Sequence, residues 1–122
     1  MRRVAIAGTA GMLFVTPTVA QMPGPFEHMA HIVCADPSVA YELLIVFEKD
    51  AQLGEKLLAH LATQDVCERA TFSGKPVADI RAHRTGTQRE GHVFEVEVSK
   101  GDVLKGRTRA FMLLYLLRNN ES

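Results

Sequence analysis

The chain has 122 residues, 47% of them hydrophobic, and its 14 basic residues balance 14 acidic ones for a formal charge of zero. That is apolar material for one compact domain and hardly for two, and too much for a disordered chain. A balanced charge gives no electrostatic reason to expect nucleic acid or an anionic membrane surface as partner.

Residues 1 to 20 have the layout of a secretory leader. Arg2-Arg3 opens it, Val4 to Val15 is apolar, and Thr16 to Ala20 ends in small residues. The apolar run is too short to span a bilayer, so the expectation is cleavage after Ala20 rather than a stable membrane anchor. The mature chain would be a single small domain over residues 21–122, periplasmic or secreted.

Gln21 to Pro25 carries Pro23, Gly24 and Pro25 and reads as a lead-in. Phe26 to Ala35 fits either a short helix or a short strand. It holds His28 and His31 three apart, with Cys34 three further on, a spacing compatible with a soft metal on a helix. Two histidines alone do not close a ligand set, so no metal or other cofactor is expected. A small metal- or ligand-binding protein using His28 and His31 is the alternative reading.

Asp36-Pro37 is a helix start, because Asp caps free N–H groups and Pro loses no needed donor at the first position. Val39, Ala40, Leu43, Leu44 and Phe47 form one apolar stripe, and Leu53, Leu57, Leu58 and Leu61 form a second. Cys34 and Cys67, the two cysteines of the chain, flank both. In an exported chain such a pair forms a disulfide. A single helix over residues 37 to 64 would span about 40 Å, whereas a disulfide needs its Cα atoms within about 7 Å. The chain must therefore fold back, and Asp50 to Gly54 is the corner.

Beyond Cys67 the pattern changes. Ser73 to Pro76 signals a turn. Ala78, Ile80 and Ala82 then alternate with Asp79, Arg81 and His83 as a strand does, and Thr85 to Gly91 reads as a hairpin loop. Phe94, Val96 and Val98 alternate with Glu95 and Glu97 in the clearest strand of the chain. These carboxylates share a face and are expected to pair with Arg81 and His83 on one neighbour and Arg107 and Arg109 on the other. Acid–base work by Glu95 and Glu97, or by one of the five histidines, would make the protein a small hydrolase or lyase, the least favoured reading. Gly74-Lys75 lacks the glycine spacing of a phosphate loop. His60 reads as a surface histidine.

Ala110 to Leu117 is continuously apolar and is read as a strand. Phe111, Leu113, Tyr115 and Leu117 would take one face, and Met112, Leu114 and Leu116 the other. Helices on one side cover only one face, so the odd-numbered set is the expected interface with a protein partner or a second copy. Folding of Phe26 to Val33 over the open face is the single-chain alternative. The fold expected from all this is α+β: a disulfide-closed helical hairpin packed on a small antiparallel sheet of about three strands. The expected function is that of an exported, non-enzymatic interaction protein of the accessory, inhibitor or immunity type.

Overall fold

The computed structural model describes residues 22–85 and 89–117; the leader expected over residues 1 to 20 lies outside them. Six elements follow in order: β1 (Phe26–Cys34), α1 (Pro37–Lys49), α2 (Ala51–Thr63), β2 (Cys67–Thr85), β3 (Arg89–Lys100) and β4 (Arg109–Leu117). Cys34 and Cys67 form a disulfide.

The expected helical hairpin on three strands is not what forms. Phe26–Cys34 is a fourth strand, and all four pair antiparallel in a closed barrel. The cysteines do not staple the open ends of two helices directly. They end β1 and begin β2, and they face each other in the ladder between those strands. The two-helix excursion leaves from one strand and returns to its neighbour. The geometric argument for a corner stands, but the corner is Asp50 alone. Its N–H closes α1 on the Val46 carbonyl, and its side chain caps α2 by accepting from Gln52 and Leu53. Gly54 lies buried inside α2. A Cβ there would fall 2.5 Å from the Phe47 ring, so this glycine serves the close crossing of α1 and α2 and not a break.

Barrel closure settles which faces are buried. Val33, Phe72, Phe94, Val96, Ala110 and Met112 point inward, joined by Val103 and Leu104 from the β3–β4 loop. That loop is tied down by a hydrogen bond from the Leu104 N–H to the Glu68 carboxylate. The outward face of the same strands carries Cys34, Cys67, Val93 and Leu113 and meets Ala40, Leu43, Leu44 and Leu58 of the helices. Burying each large aliphatic side chain of this layer contributes about 1.5–3 kcal/mol.

Closure is uneven. Among the described residues β1 meets β4 at Val33↔Met112 and Cys34↔Phe111 alone. β2, 19 residues long, pairs with β1 as far as Gly74 and with β3 from Ser73 to Thr85. Its outer edge therefore has no strand beside it from Lys75 to Thr85 among the described residues. Pairing slips between Phe26 and Met29 in β1, and between Ser73 and Gly74, Pro76 and Ala78, and Asp79 and Arg81 in β2.

Candidate functional site

One row of the sheet holds the chain's most unusual polar arrangement. His83, Gly91 and Tyr115 lie side by side on β2, β3 and β4, where α1 ends above them. Because Gly91 has no side chain, the Glu48 carboxylate fits over it; a Cβ at Gly91 would lie 2.7 Å from Glu48 Oε2. The Glu48 side chain is only 7% exposed, and its Oε1 sits 2.6 Å from His83 Nδ1. Among the described residues Oε2 has no hydrogen-bond partner, a costly state for a buried acceptor.

His83 is 42% exposed. With Nδ1 turned inward to Glu48, its Nε2 is on the outward side of the ring, the orientation a carboxylate imposes on a neighbouring imidazole. The Tyr115 hydroxyl points to the Leu44 carbonyl at 3.5 Å. Burial first, and then the Glu48 carboxylate, push its pKa above the ordinary tyrosine value, with Arg89 opposing them. Phe47, Glu48, Ala51, Arg89 and Tyr115 line a shallow cleft of about 280 Å³.

Two guanidinium groups flank this row. Arg81 lies over the Tyr41 ring, 4.3 Å from its centroid, and Arg89 lies 4.8 Å from the centroid of Tyr115. Such stacking holds a long side chain in place through the ring quadrupole. Among the described residues neither arginine forms an ion pair. The Arg81–Thr85 segment of β2 also has no partner strand on its outer edge among the described residues, and its pairing with β3 is regular.

The residues singled out from sequence are placed as follows. Phe111, Leu113 and Tyr115 pack with the helix layer, while Met112, Leu114 and Leu116 pack with the barrel interior. Both faces of that strand are thus covered within the chain, and the Leu117 side chain lies outside the description. Glu95 and Glu97 share Arg109, at 2.8 and 3.0 Å, whose guanidinium they hold firmly charged. Arg81 and His83 are not their partners. The hairpin register sets Glu95 opposite Ala78, and Glu97 opposite Lys75.

His28 and His31 do not converge. His31 turns inward against Phe26 and Phe72, where burial lowers its pKa, and its Nε2 has no partner among the described residues. His28 is exposed, has φ +55°, and its N–H donates to Ser73 Oγ. It lies at the rim of a larger open cleft, about 800 Å³, with Lys75, Ser99 and Lys100 among its walls. His60 stays on the outer face of α2, exposed. Among the described residues no three His, Cys, Asp or Glu side chains converge as a metal set.

Sequence reasoning missed two arrangements. Glu48 drew no attention in the sequence and Gly91 read as the end of a loop; only the fold brings them together. His92 was unremarked, yet it is 6% exposed at the barrel's inner face, with Nδ1 3.0 Å from Asp79 and Nε2 3.2 Å from Glu90. Its ring stacks on Phe94. The alternation that put Phe94 and Val96 inward could have been extended two residues back to find it.

Among the described residues no helix is long and apolar enough to cross a membrane. Comparison of the chain with family models, curated proteins and solved structures finds no match to any of them.

Proposed function

We propose that this is an exported binding protein that acts on another protein, without catalysis, along the outer edge of β2. The observation that carries the reading is the length of strand left without a neighbour among the described residues, Lys75 to Thr85. An unpaired edge presents N–H and C=O groups to an added strand, and strand addition is a common way to bind an extended peptide. Ile80, one of three exposed large hydrophobic residues among those described, lies on that edge. The slips around Val77 and Ile80 and the proline at Pro76 guard the upper part of the edge against indiscriminate pairing. Regular strand remains from Arg81 onward. Export is supported by the leader-like residues 1 to 20 and by the disulfide, since disulfides persist in oxidising compartments.

A second copy joined through Phe111, Leu113 and Tyr115 is not part of this reading, because those side chains are used inside the chain. A photo-reactive residue at Ile80, introduced into the protein in the cells that make it, should yield a discrete protein adduct. The same residue at Leu53, more exposed still but on α2, should yield none. Equal yields from both positions, or no adduct at Ile80, would refute the proposal.

The small-ligand reading keeps one observation in its favour, the 800 Å³ cleft at His28. Left-handed backbone at a histidine is held there against an intrinsic cost, a feature that gathers at ligand sites. It predicts that ligands found by NMR screening shift Lys75 and Ser99 and are lost in His28→Ala.

A further inference from the structure

We infer that the open edge of β2 takes the free C-terminus of a partner chain, whose carboxylate seats in the cleft that Lys75 and Lys100 line. The inference rests on the strand-addition reading and names which part of the partner is bound and in which direction. β1 begins at Phe26, which pairs with Gly74, and from there to Cys34 it fills the place beside β2. An added strand therefore lies in line with β1 and cannot run past Lys75 along the same edge. The residues before Phe26 leave that line, since Met22 packs against the barrel core. Where the added strand must stop lies the larger cleft, about 800 Å³, with Pro25, Phe26, His28, Ser73, Lys75 and Lys100 among its walls. Lys100 belongs to β3, yet it lines the same cleft as Pro25 and Phe26, so the cleft reaches across β2 at this row.

Charge decides which end of the strand arrives there. Ser73 faces Lys100 and Lys75 faces Glu97 across the β2–β3 ladder, so the two lysines are diagonal neighbours on one face. Among the described residues neither forms an ion pair, unlike Lys105 with Asp65. Glu97 is held by Arg109, and Glu27, the second acid among the described walls, is exposed. A strand parallel to β2 would bring its N-terminal ammonium to these lysines, and like charges set together are costly. An antiparallel strand brings its C-terminal carboxylate, and both strand addition and capture of a terminal carboxylate are recurring modes of peptide recognition. The pairing slips between Pro76 and Ala78 and between Asp79 and Arg81 give a reason for such an anchor. Bulges disrupt a ladder, so the edge alone sets register weakly, and a carboxylate fixed at Lys75 sets it from one end.

The first test maps what the photo-reactive residue at Ile80 captures. Ile80 lies five positions from Lys75, so mass spectrometry of the adduct should place the link near the partner's own C-terminus, within its last turn or two of strand. Lys75→Gln and Lys100→Gln should each lower the yield. A link in the interior of the partner's sequence, or a yield undiminished in both variants, would leave the edge as the docking site and overturn the C-terminal assignment alone. In solution the probe is an octapeptide, Ser-Thr-Val-Ser-Thr-Val-Thr-Val, labelled with fluorescein at its N-terminus and titrated with the mature protein in low salt. The free acid should bind about tenfold more tightly than its C-terminal amide, and each lysine variant should weaken the acid about two- to fivefold, the range of exposed ion pairs. The amide should not respond to either variant, and Lys56→Gln, an exposed lysine on α2, should change neither peptide. Equal binding of acid and amide, or none of either, overturns the inference. So does displacement of the labelled acid by acetate at the same concentration as by unlabelled peptide, which would make the cleft a site for small anions.

Discussion

At the scale of single residues the chain depends on what glycines leave empty and on what burial does to histidine. Gly91→Ala would place a methyl group 2.7 Å from Glu48 Oε2 and 2.9 Å from Leu44. Neither neighbour can easily retreat, since one is paired with His83 and the other is core. The variant should lose about 1–3 kcal/mol in urea denaturation and should loosen the His83 ring, visible as altered imidazole NMR shifts. Burial against Phe26 and Phe72 puts the His31 pKa below its ordinary 6.5. Below pH 6.5 the unfolded chain therefore takes up a proton that the folded chain resists, until the lower folded value is reached. This contribution to stability is complete above 6.5 and fades as pH falls. His31→Phe should accordingly lose less stability than the parent between about pH 7 and pH 5, measured by chemical denaturation at each pH.

At the scale of elements, local chemistry was legible and long-range use was not. Asp36-Pro37 announced α1 and does cap it, with Asp36 accepting from the Ser38 N–H. The alternation of Phe94, Val96 and Val98 announced β3. Gly54 was misread because helix propensity sees only its cost in a helix interior; the Phe47 ring that requires it belongs to another helix. Gly54→Ala should therefore destabilise the protein, although alanine is the better helix former, and Asp50→Ala should cost about 1 kcal/mol through the lost cap. Glu95 and Glu97 were rightly read as an ion-paired face, but which arginine serves them depends on hairpin register, which the residues between Thr85 and Gly91 do not reveal. The Phe111 to Leu117 run shows the limit of counting faces. A strand apolar on both sides suggested an open surface, whereas a barrel provides an inside. Leu113→Glu should consequently unfold the chain, costing about 3 kcal/mol or more for a buried unpaired charge, and should not merely convert a dimer to a monomer in sedimentation.

For the molecule as a whole, the disulfide stands where the barrel closes. Cys34 is opposite Cys67 on β2 and opposite Phe111 on β4, so a single residue joins three strands. Among the described residues only one other pair, Val33↔Met112, holds β1 to β4. Two ladder pairs are a weak seam, because strand pairs gain most from cross-strand packing repeated along their length. The bond also closes the loop that contains both helices, and removing a native bridge from a small secreted domain commonly costs about 2–5 kcal/mol. Both sulfur-bearing residues are fully buried, so alanine is the better replacement, since serine would add an unsatisfied hydroxyl. The Cys34→Ala, Cys67→Ala double variant should keep the α1–α2 layer but open along the β1–β4 seam. Hydrogen exchange should then speed up at Ala110 to Leu113 and at Ile32 to Cys34 before it does so in the middle of the β2–β3 hairpin, which has its own long ladder. Uniform loss of protection across all four strands would show instead that the barrel opens as one unit and that the bond does not guard the seam.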